Sequence, residues 1–299
     1  MADDDTYLGR FAPSPTGPLH LGSLVAALGS YLDARHSGGR WLVRIEDLDH
    51  ERVVAGCADE MLRTLEAHGL EWDGAVEFQS RRIDRYEAAL AALGRQGFLF
   101  ECSCTRRELR GDAGGYPGTC RTGPRRAGPT ATRFRVDDGV LEFEDRAQGP
   151  CSFRLRERGD VVVRRRDGAF AYQLAVVVDD AEQGVTDVVR GADLLDNTPW
   201  QIVLQGALGL PKPRYTHLPL IVEGHQEKLS KSRRSLALDP AATGAQLHQS
   251  LTLLNQAPPA KLKLAPSAEI LAWARVHWRL ERFRGVKEVS LPPQDGGDG

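Results

Sequence analysis

The chain alternates between two kinds of apolar stretch, and their order predicts the architecture. Short runs of branched and aromatic residues are typical of strands, and longer stretches with apolar residues three and four positions apart are typical of amphipathic helices. In chain order these patterns predict a strand at 7–11, a helix at 19–35, a strand at 41–45, and helices at 54–68 and 82–93. Strands that alternate with helices predict a parallel sheet covered on both faces. We therefore expect an α/β fold with a Rossmann-like, doubly wound parallel sheet.

The alternation is interrupted after residue 100. Residues 101–149 are rich in glycine, arginine and cysteine and contain short extended stretches at 132–136 and 140–143, so we interpret them as an insertion between the two halves of the sheet domain, 1–100 and 150–235. The nearly continuous apolar run 169–178 is predicted to be a strand buried on both faces. The remaining predicted elements are a helix at 197–208, a strand at 215–222, helices at 245–255 and 268–283 within a helical region 236–290, and a tail at 291–299 with the composition of disorder.

Composition and charge narrow the class of protein. The 299 residues are 41% hydrophobic and 27% charged, as in globular proteins, and no apolar run approaches the length needed to cross a bilayer. The acidic start is unlike a secretory signal, so we expect a cytoplasmic protein without a membrane partner, and a monomer. The formal net charge of -2 conceals arginine clusters between 106 and 166, which either form a solvated surface or contact nucleic-acid phosphates.

Two short segments carry the chemistry of an ATP site. The first, His20-Leu21-Gly22-Ser23, enters a predicted helix after a Pro/Gly-rich turn, where free N–H groups and the helix dipole favour phosphate. The second, Lys228-Leu229-Ser230-Lys231-Ser232, places two flexible cations in a loop. Alone, each has an ordinary interpretation, as a structural histidine or a solvated basic turn, but together they predict ATP binding. The predicted ATP-binding residues are His20, Gly22, Ser23, Lys228 and Lys231, with His20 and Lys231 as the catalytic pair.

The segments Gly9 to Ser23 and Lys228 to Ser232 resemble the two signature motifs of class I aminoacyl-tRNA synthetases, in the glutamyl form. The segments 44–49 and 189–194 also resemble that family, so the resemblance covers most of the chain. It implies adenylation of an amino acid by ATP, with Mg²⁺ as its companion. In the broader class the first motif often ends in a second histidine, and Ser23 takes that place here.

The resemblance also implies the amino acid, because glutamate needs cations for its carboxylates and an anion for its ammonium group. The positions that match the family's glutamate-binding residues are Arg10, Phe11, Ala12, Pro13, Ser14, Glu46, Tyr172 and Arg190. Outside this context Tyr172 would be read as a core aromatic residue and Glu46 as part of a surface salt bridge. We expect L-glutamate as a substrate.

Three cysteines crowd into the insertion. Cys102, Cys104 and Cys120 supply three thiolates, one ligand fewer than tetrahedral zinc requires, and the alternatives are three buried cysteines or an open three-ligand site. Together with Tyr116 they resemble the zinc site of one subgroup of the family, the glutamyl-queuosine tRNA(Asp) synthetases, so the resemblance implies structural Zn²⁺ on these four residues. The remaining two cysteines, Cys57 and Cys151, are expected to be packing residues.

Only residues 233–299 follow the lysine loop, whereas the resemblance implies a large helical anticodon-binding region at this place in an ordinary glutamyl-tRNA synthetase. We therefore expect the acceptor of the shortened subgroup, the queuosine base in the anticodon of tRNA(Asp). The alternatives are a truncated glutamyl-tRNA synthetase that charges a tRNA 3′ end and a non-catalytic RNA-binding homologue.

Overall fold

A computed structural model describes residues 6–105, 107–109, 115–223, 227–228 and 238–291. Its strands are β1 (Leu8–Phe11), β2 (Arg40–Ile45), β3 (Glu77–Phe78), β4 (Leu99–Cys102), β5 (Ala131–Phe134), β6 (Val140–Asp145), β7 (Gly149–Arg154), β8 (Val161–Arg164), β9 (Asp187–Gly191), β10 (Arg214–Leu218), β11 (Leu220–Glu223), β12 (Glu227–Lys228) and β13 (Glu288–Ser290). Its α-helices are α1 (Leu21–His36), α2 (Cys57–Ala67), α3 (Ile83–Arg95), α4 (Leu155–Arg158), α5 (Tyr172–Glu182), α6 (Thr198–Leu208), α7 (Thr243–Leu253) and α8 (Ser267–His277).

A seven-stranded sheet with the order β3-β2-β1-β9-β10-β6-β7 forms the centre of the fold. Every neighbouring pair from β3 to β6 is parallel, and β7 is an antiparallel edge strand. On one side the sheet runs outward from β1 through β2 to β3. On the other side it runs outward from β9 through β10 to β6 and β7. The gap between β1 and β9 is therefore a topological switch point, the place where open α/β sheets bind ligands at the carboxyl ends of their strands. The expected parallel α/β class is confirmed.

Helix α1 connects β1 to β2 and is buried along most of its length, from Leu24 to Ala34. Its close approach to the sheet depends on Gly29, because a Cβ at this position would lie 2.5 Å from Leu218 Cδ1 on β10. The side chain of His20 caps the first turn, and Arg35 and His36 lie in the last turn, where cations complement the helix dipole. This packing fixes the helix N-terminus at the carboxyl edge of the sheet.

The predicted strand at 169–178 is wrong. The run belongs mostly to α5, which buries eight consecutive residues from Gln173 to Asp180. A helix buried on all sides has no polar face, so its sequence lacks the period that would distinguish it from a doubly buried strand. Helices α3 and α6 and the strands β5 and β8 supply the apolar surroundings of α5.

Two further stretches differ from expectation. The predicted single strand at 215–222 is divided at Pro219 into β10 and β11, which lie in different sheets, because β11 pairs with β12 and β13. The extended stretch at 140–143 lies within the proposed insertion, yet as β6 it joins the large sheet beside β10. The three-stranded sheet β4-β5-β8 combines β5 of the insertion with β4, at its start, and with β8, from the part of the chain that follows it.

The C-terminal region 238–291 packs on the sheet domain and shares its core. Apolar residues of α7 and α8 join the same cluster as α1, among them Leu247, Leu251, Ile270 and Leu271. The indole N–H of Trp278 donates to Asp33 on α1 at 3.2 Å. A strand that the sequence pattern did not predict, β13, adds to β11 in parallel register.

Among the residues that the structure places, none of the helices has the length and apolar character of a membrane span.

Candidate active site

A cavity of about 980 Å³ opens at the switch point. Its walls come from the carboxyl ends of β1 and β9, the segment after β2, and the first turns of α1 and α5. The predicted site residues that line it are Arg10, Phe11, Ala12, Pro13, Ser14, His20, Gly22, Ser23, Glu46, Tyr172 and Arg190. Residues that are as much as 180 positions apart in sequence therefore meet in one place because parallel strands end at a common edge.

One wall of the cavity is the N-terminus of α1. The first turn contains no acidic residue, so the positive end of the helix dipole is available to an anion. His20 Nδ1 accepts the backbone N–H of Ser23 at 3.3 Å. Because Nδ1 accepts, the neutral imidazole carries its proton on Nε2, which makes His20 a donor. This wall has the chemistry of a phosphate site.

A group of buried charged side chains, on β1, β2 and α5, lies opposite the N-terminus of α1. Arg10 forms a two-point contact with Asp180 on α5, with N–O distances of 3.1 and 3.3 Å. Arg44 is fully buried and contacts Asp180 at 2.8 Å and Glu46 at 3.4 Å. Burial alone would raise the pKa of Asp180, but Arg10 and Arg44 together lower it. Asp180 is therefore the carboxylate that holds both arginines in place.

Glu46 differs from Asp180 in its electrostatics. Its side chain is 9% exposed, and burial raises its pKa to about 7 despite the opposing effects of Arg44 and Arg10. Arg44 is shared with Asp180, so Glu46 receives only part of its charge. A cation in the cavity would lower the pKa again, which makes Glu46 suited to receive an ammonium group.

Arg190 presents the opposite charge. Its Nε donates to His217 Nε2 at 3.1 Å, its Nη1 to Tyr172 Oη at 3.2 Å and its Nη2 to Thr198 Oγ1 at 2.9 Å. Within the described ranges no carboxylate lies at ion-pair distance from this guanidinium. Arg190 is 5% exposed, so its charge is largely withdrawn from water. Such a cation favours a carboxylate ligand.

Several of these groups were not predicted from the sequence. Asp179 accepts hydrogen bonds from Gln79, Arg82 and Tyr86, and so braces α5 against α3 and the turn before it. The signal that could have revealed Asp179 and Asp180 is their position in an otherwise apolar run, since carboxylates are rarely fully buried without cationic partners. The cations that pair with these two carboxylates are distant in sequence, so the sequence alone could not predict which residues pair.

The late lysine motif is not placed. The structure gives the backbone of Lys228, which pairs with Val222 as part of β12, and Leu229 to Ser232 lie outside the described residues. The contribution of Lys228 and Lys231 to an ATP site thus stays a prediction.

The cysteine cluster is a second site. The sulfur atoms of Cys102, Cys104 and Cys120 all lie within 4.8 Å of one another. Tyr116 Oη lies 3.4 Å from Cys102 Sγ and 3.8 Å from Cys104 Sγ, and Cys104 and Cys120 are 3.5 Å apart. Four ligands at zinc–sulfur distance would be separated by about 3.8 Å at the corners of a tetrahedron. The four residues thus fit a tetrahedral zinc ion.

The other two cysteines are elsewhere. Cys57 is buried at the start of α2, where its thiol donates to the carbonyl of Gly17 at 3.0 Å. Cys151 is half-buried on β7. Neither contacts the cluster.

Comparison with known proteins gives a family. The family described as "tRNA synthetases class I (E and Q), catalytic domain" matches residues 8–115 and 117–256. A curated relative from Ectopseudomonas mendocina, named glutamyl-Q tRNA(Asp) synthetase, is 54% identical over 95% of this chain and 98% of its own length. A relative of the same name from Thiobacillus denitrificans is 55% identical over 95% of this chain and 97% of its own length.

Solved structures agree in fold. A glutamate tRNA ligase from Elizabethkingia meningosepticum, crystallised with its amino acid, superposes with a TM-score of 0.79 at 26% identity, over 95% of this chain and 67% of that one. A glutamate-tRNA synthetase from Elizabethkingia anophelis gives the same score and identity, over 96% of this chain and 68% of that one.

Proposed function

The chain belongs to the class I tRNA synthetases of the E and Q group, and we propose that it activates L-glutamate with ATP and transfers the glutamyl group to queuosine in tRNA(Asp). The acceptor follows the curated relatives, which bear the name glutamyl-Q tRNA(Asp) synthetase and are matched over nearly their full length.

One observation carries the proposal: a single cavity joins the α1 N-terminus to a cation on β9 and an anion just after β2, the two strands that flank β1. Arg190 is suited to the side-chain carboxylate of glutamate, and Glu46 to its ammonium group. The helix N-terminus and His20 are suited to the phosphates of ATP. The substrate's α-carboxylate is then directed toward the α-phosphate.

In the first step, an oxygen of the α-carboxylate attacks the α-phosphorus, the bond to the β-phosphate breaks, and glutamyl-adenylate and pyrophosphate form. The reaction needs no side-chain nucleophile, so the residues act by positioning and by stabilising charge. His20 and the N–H groups of α1 bind the phosphates, and we assign Lys231 to the charge that develops on the departing pyrophosphate, with Mg²⁺ accompanying ATP.

In the second step, a hydroxyl of the queuosine cyclopentene ring attacks the mixed anhydride and releases AMP. The arginine-rich segment between 106 and 166 is assigned to tRNA phosphates, which demand cationic partners. We further propose that the protein acts in the cytoplasm as a monomer.

We assign the cysteine cluster to structural zinc, held by Cys102, Cys104, Tyr116 and Cys120. The geometry described above supports this assignment. Zinc here would fix the chain between β4 and β5, where the described residues form little regular structure.

Exchange of labelled pyrophosphate into ATP, measured without tRNA, tests the activation step. We expect exchange that depends on L-glutamate and is much weaker with glutamine or aspartate. Exchange independent of the amino acid, or absent with and without tRNA, would contradict the proposal.

A further inference from the structure

Among the described residues, three neutral groups hold the guanidinium of Arg190, and their contacts leave two of its donors. A guanidinium has five N–H bonds, one on Nε and two on each terminal nitrogen. The contacts to His217, Tyr172 and Thr198 use one from Nε, one from Nη1 and one from Nη2. One N–H remains on each terminal nitrogen, the pair with which arginine binds a carboxylate at two points.

His217 can hold Arg190 in this way in only one tautomer. The residues are register partners on the parallel strands β9 and β10, and the imidazole is fully buried. Arginine has no acceptor, so His217 Nε2 must be the acceptor in the 3.1 Å contact with Arg190 Nε. The proton of a neutral His217 is therefore on Nδ1.

Asp145 enforces this tautomer. Its Oδ2 lies 2.6 Å from His217 Nδ1 and accepts that proton. Its Oδ1 accepts three backbone N–H groups, from Ala147 at 3.0 Å, Gln148 at 2.8 Å and His217 at 3.2 Å. Burial and Arg190 both favour neutral imidazole, and the pKa of His217 is lowered, although Asp145 opposes the shift.

We infer that Asp145 and His217 are positioning residues that orient Arg190 for the side-chain carboxylate of the amino-acid substrate. The inference rests on the proposed function, since it deepens the role of Arg190 in glutamate binding. The charge that balances Arg190 lies on Asp145, one imidazole away, so the terminal N–H groups stay available to the substrate.

The substitution Asp145→Asn tests this inference with almost no change in side-chain volume. The three backbone N–H groups hold the amide oxygen at the position of Oδ1, so the amide NH₂ faces His217 Nδ1. Nδ1 must then accept, the imidazole proton moves to Nε2, and Nε2–H opposes the N–H of Arg190 Nε. We expect Arg190 to be displaced and the KM for glutamate to rise by about ten- to a hundredfold, the usual effect of losing a hydrogen bond to a buried charge.

A pair of variants at residue 217 separates positioning from packing. His217→Asn keeps an N–H near the place of Nδ1 but has no acceptor at the place of Nε2, whereas the carbonyl oxygen of His217→Gln can reach Arg190. Both remove a buried aromatic ring. A purely structural role predicts similar losses in the two, and positioning predicts a larger rise in the KM for glutamate in His217→Asn.

The measurement is steady-state pyrophosphate exchange with glutamate and ATP varied separately, together with ¹⁵N chemical shifts of the imidazole. We expect Nδ1–H in the wild type and Nε2–H in Asp145→Asn, with the KM for ATP within about twofold of wild type in every folded variant. Two results would overturn the inference. One is an Nε2–H tautomer in the wild type. The other is a KM for glutamate and a KM for ATP that rise by the same factor, with no difference between His217→Asn and His217→Gln. If the wild type shows no glutamate-dependent exchange, the proposed function fails, while the tautomer measurement still tests the Asp145–His217–Arg190 network.

Discussion

At the scale of single residues, His20 combines two roles that substitution can separate. Its Nδ1 caps α1, and its Nε2 carries the proton assigned to the phosphates. His20→Asn retains a capping oxygen, whereas His20→Ala loses both functions. We expect both variants to lower kcat in pyrophosphate exchange by about 10²-fold, and only His20→Ala to lose about 1 kcal/mol of unfolding free energy. Equal stabilities in denaturant titrations, or normal turnover in His20→Asn, would contradict this division.

Glu46 makes glutamate binding dependent on pH. Its pKa in the free protein is raised to about 7 by burial, and an ammonium group beside it would lower that value. Binding therefore requires the ionised form, and affinity should fall as pH decreases below 7. At pH 7 we expect release of about half a proton per glutamate bound, measured by titration calorimetry in buffers of different ionisation enthalpy. Proton uptake would be the wrong sign, and Glu46→Gln should bind more weakly without release.

The residues that lie in contiguous motifs could be predicted from the sequence, and those that hold them could not. His20, Glu46 and Arg190 could be proposed from the sequence because each stands in a recognisable segment, and the structure brings all three to one cavity. Asp180 and His217 were missed because their roles exist only through partners that the fold brings close.

At the scale of elements, helix α5 was also missed because its structure depends on contacts distant in sequence. Its apolar run was predicted to be a strand, and only tertiary burial on every side decides for a helix. The amphipathic helices α2 and α3 were predicted closely because each keeps a polar face. The parallel order of strands followed from the helices between them, whereas the membership of β6 in the large sheet did not, because an antiparallel hairpin carries no sign of which sheet it joins.

We expect the stability conferred by the cysteine cluster, Cys102, Cys104 and Cys120, to depend on bound metal. We expect purified protein to contain about one zinc ion, and removal by a chelator to lower the Tm by several degrees. Cys120→Ser should lose the metal and the response to chelator. Cys151→Ser is the matched control, because Cys151 lies outside the cluster, and it should keep both. Full zinc content in Cys120→Ser would refute the assignment.

Strand β13 supports β11, whose other edge carries β12 and Lys228. Deletion of residues 288–299 removes β13, and deletion of 292–299 leaves it intact. We expect the longer deletion to raise the KM for ATP and lower the Tm, and the shorter one to change neither, since only the longer one removes the pairing of β11 with β13 and the hydrogen bond from Leu291 N to Val222 O. Identical kinetics in the two truncations would show that β13 does not affect the ATP site.

At the scale of the whole molecule, the C-terminal helices and the sheet domain share one core through α1, so the helix that carries the proposed phosphate site is buried from both sides. The family resemblance read from two motifs is confirmed by the match over residues 8–256, apart from residue 116. The acceptor depends on surfaces that sequence patterns do not define, so it calls for a direct test.

That test is transfer of labelled glutamate to two preparations of tRNA(Asp), one with queuosine and one with guanosine at the same position. We expect ester formation with the queuosine-containing tRNA and none with the other, because the attacking hydroxyl belongs to the cyclopentene ring. Transfer of glutamate to unmodified tRNA(Asp), or to the 3′ end of tRNA(Glu) in preference to queuosine, would contradict the proposed function.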